Sequence, residues 1–447
     1  MSLGLAMVTS IMLLIFLIVT GPPIPFAFAG ACTYLVATIG VNPAILMPSG
    51  YNNIQSYVLI ALPLFILAGS LMSSSSIGDG LVRWLECFTE KLKGGLIVVS
   101  VIACALFGAV SGSGTATLTC IGTVLGPKME QRNYPKHIYA ATLCCAAPLG
   151  LLIPPSGIQI IFAWAVNVSV LGCFLAIVGP GIMLALLECI LGAITMKKVP
   201  DLPPTVQRKN AGEWFKNFGK TTVSTFPALL MPVIILGGIY GGIFTPVEAA
   251  GVSCVYALLA GLLIYRTMKW KNIKQSFFES GVTTGVMILL VLFACVFSRI
   301  LTQEQMPQMI ADALTSVSSN RIIVLAMVNI FLIILGMICD DTAGTLIAAP
   351  LLLPVVTRCG MSPYQFAALL GVNLGMGCIT PPCAPFLYLA SRLFKCPVEK
   401  MIPHVLKILL YCYLPVLIAV TYWPALSLTL VKLVMGAKFI IFPFGGG

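Results

Sequence analysis

From Met1 to Met72 the chain carries no charged residue, and from Gly94 to Pro127 again none. Runs of this length exceed the roughly 20 apolar residues a helix needs to cross a bilayer. Hydrocarbon offers no partner to a free amide or carbonyl, so such runs must fold as helices. Charged residues make up 9% of the 447 and apolar ones 59%, with a mean hydropathy of +1.04. A soluble domain carries about 25% charged residues. The chain therefore reads as an all-α, polytopic membrane protein. Its opening, MSLGLAMVTSIMLLIFLIVTGPP, lacks a basic start and a clear small-residue cleavage site, and reads as a retained first helix.

The net charge of +11 is concentrated. Six of the 25 basic residues lie in Lys197–Lys220 and four more in Arg266–Lys274, both between apolar segments. Basic loops of this kind mark the cytoplasmic side of a membrane rather than a nucleic-acid surface. The 16 cysteines form no C-x-x-C pair and sit mostly in apolar segments such as LCCAAP at 143–148, where they act as small apolar filler. With only His137 and His404 available, no zinc or iron centre and no bound cofactor is expected.

Apolar segments fall at 4–20, 22–40, 57–77, 138–175 and 176–196, then at 224–241, 246–265, 281–301, 363–393 and 404–428. Amphipathic stretches lie at 77–93, with Leu81, Trp84, Leu85 and Phe88 at helical spacing, and more weakly at 302–318. The second series repeats the first. At a shift of 227, Thr115-Ala116 falls on Thr342-Ala343, Pro127 on Pro354 and Ala140-Ala141 on Ala367-Ala368. Gly150 then falls on Gly377 and Pro154-Pro155 on Pro381-Pro382, while a shift of 221 places Pro25 and Ala29-Gly30 on Pro246 and Ala250-Gly251.

Segment 94–127 is interrupted by AVSGSGTATLT, glycine and hydroxyl residues that weaken a helix. Its second arm, 115–127, would reach only about 20 Å against a hydrocarbon core of about 30 Å. Lys91 and Lys93 precede the segment, and Lys128, Arg132 and Lys136 follow it. Both ends then lie on the cytoplasmic face, and the segment is expected to be a re-entrant hairpin. Five crossings per half would turn the second half over, so its hairpin, 321–354, would enter from the opposite face.

The expected architecture is two inverted-topology repeats, each of about five transmembrane helices plus one re-entrant hairpin. The first spans 1–196, with hairpin 94–127 and broken helix 138–175. A basic cytoplasmic linker covers 197–223. The second repeat spans 224–430, with hairpin 321–354 and broken helix 363–393, and a tail covers 431–447. Opposed hairpins and broken helices suit a transporter that holds its substrate near the midplane.

Irregular backbone at that depth survives only around a cavity or buried in protein. Proline lacks an N–H and disrupts the preceding turn, so the breaks LLIPPSG (151–157) and CITPPCA (378–384) free carbonyl oxygens. The helices that resume point N–H groups inward, which suits a carboxylate. The residues expected to face substrate are Ser111, Gly112, Ser113, Gly114, Thr115, Ser156 and Asn373. Those expected to hold sodium are Ser111, Ser113, Pro154, Asp340, Asp341, Thr342, Thr380 and Pro381. An aspartate at a helix centre costs about 2.5–3.5 kcal/mol on insertion scales. A helix N-terminus returns about 0.3–1, at most about 2 kcal/mol. A cation or water must supply the rest, with at least one aspartate functional and the other free to cap the second arm. No lysine or arginine lies in 94–127 or 322–354. An anionic substrate would be met by helix ends, hydroxyls and co-transported sodium.

The stretches SGSGTATLTCIGTVLGPKM, LLIPPS, GGIYGGIFTPVEAAGVSCVYAL, LGMICDDTAGTLIAAPLLLPV and ITPPCAPFLYLAS resemble the large membrane subunit of tripartite ATP-independent periplasmic transporters over roughly 4–430. The resemblance implies sodium-driven uptake of organic acids across the bacterial inner membrane by an elevator motion. It implies as partners a small four-helix membrane subunit, here expected to be separate, and a periplasmic substrate-binding protein. The family's motifs fall on Ser111–Thr115, Pro154–Ser156, Asp340–Thr342 and Thr380–Pro382. Where many members carry an aspartate after the first motif this chain has TAT, and where many read PPVG it has Pro381-Pro382-Cys383-Ala384. The resemblance therefore does not choose between a C4-dicarboxylate, sialic acid or another acid. The alternative within transporters is a single-component sodium/anion symporter of related architecture. A membrane-embedded aspartyl protease would need two carboxylates facing each other from separate helices, whereas adjacent residues point apart. An ion channel would not need repeated proline breaks.

Overall fold

The computed structural model describes residues 3–75, 77–89, 94–199, 211–318, 320–381 and 384–436, and every regular element among them is helical. The first half comprises α1 (Leu3–Thr20), α2 (Ile24–Ile39), α3 (Pro43–Ile54), α4 (Ala61–Ser73), the amphipathic α5 (Ile77–Thr89), α6 (Gly95–Ser111) and α7 (Gly114–Gln131). It continues with α8 (Lys136–Ala146), the single turn α9 (Leu149–Leu152), α10 (Gly157–Ala165) and α11 (Val170–Lys197). The second half comprises α12 (Ala211–Tyr240), α13 (Pro246–Leu259), α14 (Trp270–Gln303), the amphipathic α15 (Met306–Val317), α16 (Arg321–Ile338) and α17 (Asp341–Arg358). It closes with α18 (Pro363–Gly377), α19 (Pro385–Phe394), α20 (Val398–Ile408), α21 (Leu414–Tyr422) and α22 (Ala425–Met435).

Among the described residues, six helical stretches are long and apolar enough to cross a membrane: 170–197, 218–240, 246–264, 270–303, 321–338 and 398–422. Two bent pairs bring the number to eight, 46–54 with 57–73 at 60° and 136–152 with 157–165 at 42°. Among the expected crossings, the apolar part of α1, Gly4–Thr20, and α2 fall below that length, and the broken α18–α19 is not among the bent pairs that pass. Conversely α16, an arm of the second expected hairpin, reaches it.

Several expected boundaries move. Helix α3 occupies a stretch assigned no element, because Asn42 accepts from the Ala44 amide at 2.9 Å and Pro43 presets the first turn. The broken helix expected over 138–175 ends at Ala165. Asn167 adopts a left-handed conformation there and Ser169 caps α11, so an unbroken apolar pattern conceals a turn. Hairpin arms expected to stop at Pro127 and Pro354 run one turn further, to Gln131 and Arg358. Ion pairs stabilise those added turns: Lys128 Nζ lies 3.2 Å from Glu86 of α5, and Arg358 Nη1 lies 2.6 Å from Asp312 of α15. The expected linker 197–223 is helical from Ala211 onward, while 200–210, Lys91, Lys93 and Pro382-Cys383 lie outside the described residues. The expected tail at 431–447 begins as the last turns of α22, and 437–447 lies outside the described residues.

The packing is reciprocal between the halves. Helix α2 packs on α14, and α13 packs on α4. Likewise α10 packs on α17 and α19 on α7, while α11 meets α18 and α20 meets α8.

Candidate functional site

The first break is a two-residue turn. Helix α6 ends at Ser111, Gly112 takes φ +60°, and Ser113 caps α7 from an extended conformation. Only glycine fits at 112. Its φ disfavours a side chain, and an added Cβ would stand 2.8 Å from the Pro155 carbonyl oxygen. The tip thus rests on the proline break, and the Gly157 amide donates to the Gly112 carbonyl at 3.4 Å. The carbonyl that meets the tip is therefore that of Pro155. Pro154, assigned the role from sequence, is buried beside it in a cis Pro154–Pro155 pair.

Hydroxyl groups divide around this turn. Ser111, 3% exposed, lies 3.2 Å from the buried Thr117 hydroxyl, which donates to the Ser113 carbonyl at 2.8 Å. Ser113 and Thr115 pair at 2.9 Å on the outer side, where Thr115 is exposed. Gly114 sits under the Phe386 ring of α19, where a Cβ would come 2.5 Å from the ring. Ser156 caps nothing. Its hydroxyl is fully buried and has no partner among the described residues.

The second break is also a two-residue turn. Helix α16 ends at Ile338, Cys339 is extended, and Asp340 caps α17 by accepting from the Ala343 amide at 3.0 Å. Asp340 occupies the place of Ser113, 227 positions earlier, which accepts from Ala116 at 3.5 Å. Asp341 accepts from the Thr342 amide at 2.9 Å, and its carbonyl takes the Thr345 hydroxyl at 2.8 Å. Thr342 is buried, 4% exposed. At the second proline break the Thr380 hydroxyl donates to the Met376 carbonyl at 2.7 Å, and Pro381 follows it in a half-buried turn.

Asn373 stands apart from these groups. Its amide donates to Asn329 at 2.9 Å, Asn329 donates to the Thr421 hydroxyl at 2.9 Å, and Gln365 donates to the Val420 and Thr421 carbonyls. The amide therefore belongs to a buried polar ladder tying α18 to α16 and α21. Its Oδ1 remains without a partner among the described residues.

Each break is held by facing glycines. A Cβ on Gly108 would meet Gly150 Cα at 2.4 Å, and one on Gly377 would meet Gly336 C at 2.4 Å. The hairpin arm and the broken helix thus touch backbone to backbone in each half.

Sequence reasoning did not single out three polar groups. Thr117 completes the inner hydroxyl pair. Glu188, on α11 and 2% exposed, has neither carboxylate oxygen bonded among the described residues. Arg299 lies at the end of α14. A lone acid inside 176–196 was the available signal for Glu188, and no local pattern marks the other two.

Over residues 11–426 the sequence matches the family described as tripartite ATP-independent periplasmic transporter, DctM component. It is 35% identical over 382 residues to the C4-dicarboxylate TRAP transporter large permease protein DctM of Pseudomonas aeruginosa, covering 85% of this chain and 87% of that one. It is 32% identical over 423 residues to the sialic acid TRAP transporter large permease protein SiaM of Vibrio cholerae, covering 94% and 97%. Among solved structures, the YdaH transporter of Alcanivorax borkumensis superposes with a TM-score of 0.64 at 15% identity, covering 91% of this chain and all of that one.

Proposed function

The chain belongs to the DctM family of tripartite ATP-independent periplasmic transporters, as a large permease, and on that premise we propose that it imports an organic acid anion with sodium. A periplasmic binding protein delivers the anion, a C4-dicarboxylate, sialic acid or similar carboxylate. A small four-helix membrane subunit completes the complex in the bacterial inner membrane.

One observation carries the reading: each hairpin turn is capped at the same repeat position, by Ser113 and by Asp340, and is pinned to a broken helix by paired glycines. Reciprocal packing between the halves supports two inverted repeats. Sodium is bound by oxygens: the Ser111 and Ser113 groups and proline-break carbonyls at one tip, and Asp340, Asp341, Thr342 and Thr380 at the other. The outer Ser113–Thr115 pair, with Gly112, Gly114 and Ser156, takes the carboxylate at the N-termini of α7 and α10. Each hairpin and its broken helix move as one body past α4, α13 and α14.

Proteoliposomes containing the chain, its small partner subunit and the loaded binding protein accumulate substrate only under an inward sodium gradient. Equal uptake with potassium removes the coupling. In the same vesicles Ser111→Ala and Asp341→Ala impair uptake while the purified proteins keep the wild-type elution profile. Wild-type uptake by both refutes the site.

A further inference from the structure

We propose that Arg299 and the polar cleft around it form a periplasmic vestibule that takes a small carboxylate anion before it reaches the hairpin tips. The proposal rests on the transporter reading above. The cleft has a volume of about 360 Å³, and its polar lining is Asn53, Trp164, Ser298, Arg299, Thr302 and Gln303. None of its lining residues is acidic. Arg299 is exposed and donates from Nη1 to Ser49 at 2.6 Å. No carboxylate among the described residues pairs with it. Four of the five N–H donors of a guanidinium remain, in the planar fork that grips a carboxylate in bidentate fashion.

Position strengthens the chemistry. Lys274, in the basic stretch read as cytoplasmic, and Arg299 lie on one helix, α14. The 25 helical steps from Lys274 to Arg299 span about 37 Å, more than the roughly 30 Å hydrocarbon core, so Arg299 faces the periplasm. The cleft's other wall is Trp164 and Ala165 of α10 with Leu346 and Pro350 of α17. These helices begin at the candidate site, α10 after Ser156 and α17 after Asp340. From Ser156 to Trp164 is about 12 Å, and from Asp341 to Leu346 about 8 Å. An anion in the cleft would stand about 12 Å or less along the helices from both N-termini. The hairpin tips hold no fixed cation, and Arg299 provides one on the path towards them.

Half-buried Trp164 makes the cleft observable. In a chain whose other tryptophans, at 84, 214, 270 and 423, are replaced by Phe, Trp164 emission is quenched by potassium iodide or by neutral acrylamide. Arg299→Gln lowers the iodide constant roughly two-fold or more and leaves the acrylamide constant unchanged, while Arg299→Lys keeps most of the iodide effect. Succinate, matched in ionic strength with chloride, shields Trp164 from iodide in the parent but not in Arg299→Gln. Ser49→Ala separates this role from a mere tie between α3 and α14, and leaves iodide quenching intact. Iodide quenching unchanged in Arg299→Gln, the same loss in Ser49→Ala, or no shielding by succinate overturns the vestibule. These readings need no sodium gradient. Sodium-independent uptake by the wild type would remove the coupling reading and leave the quenching result to decide this one.

Discussion

The contact that most constrains the site is between atoms without side chains. Gly108 faces Gly150, and Gly377 faces Gly336, so closely that a methyl group on Gly108 or on Gly377 would sit 2.4 Å from the opposing backbone. Two backbones cannot yield as a flexible side chain would, so overpacking there costs about 1–3 kcal/mol. Gly108→Ala and Gly377→Ala are each expected to lower the melting midpoint of the detergent-solubilised protein. Gly251→Ala is the control, since a Cβ there meets nothing within 4 Å and alanine favours the helix. Equal midpoints for all three would show that the glycine contacts can relax. This contrast also locates the limit of the sequence repeat. Gly150/Gly377 and Gly30/Gly251 are matched pairs of the same kind in sequence, yet only the first pair packs against backbone in both halves. The repeat pattern marks correspondence and leaves contact open. Asn373 reads from the sequence as a substrate-facing residue, but its amide bonds to Asn329 and away from the break, and periodicity in an almost wholly buried helix does not say which way a side chain turns.

At the level of elements, apolar length and breakers made most of the layout legible. The hairpin turns, both proline breaks and both amphipathic helices lie where glycine, hydroxyl, proline and charge patterns placed them. The ends of elements were less visible, because tertiary partners decide them. Pro127 and Pro354 read as terminators, but α7 and α17 continue into a charged turn that meets Glu86 of α5 or Asp312 of α15. The same device at both hairpin bases, an acid on the amphipathic helix and a base on the second arm, ties each arm to its amphipathic helix. Side chains in these pairs are 21–71% exposed, so solvent screening keeps each near 0.2–1 kcal/mol. Glu86→Ala and Asp312→Ala are accordingly expected to shift the melting midpoint only slightly. A collapse of folding in either would mean that the ion pair, rather than apolar burial, fixes the arm.

For the whole molecule, the reciprocal packing separates two groups of helices. Helices α2, α4, α13 and α14 pack among themselves, while the hairpins and broken helices interlock through α7 with α19 and α10 with α17. The groups meet where α4 packs on α6, α7 and α10, and where α14 packs on α17, the latter beside the cleft lined by Ser298 from one and Leu346 from the other. If the hairpin group slides past the other, that contact must break in each cycle, because close-packed surfaces pass between discrete arrangements rather than stretching. A cysteine-free chain carrying Ser298→Cys and Leu346→Cys, joined by a short bifunctional maleimide, is therefore expected to lose uptake in proteoliposomes. The two single-cysteine chains treated alike should retain it. Cleavage of a reducible version of the linker should restore uptake. Full uptake in the joined protein would mean that α17 stays fixed against α14 during transport, and the elevator motion would have to be abandoned for a mechanism in which only the turns at Gly112 and Cys339 rearrange.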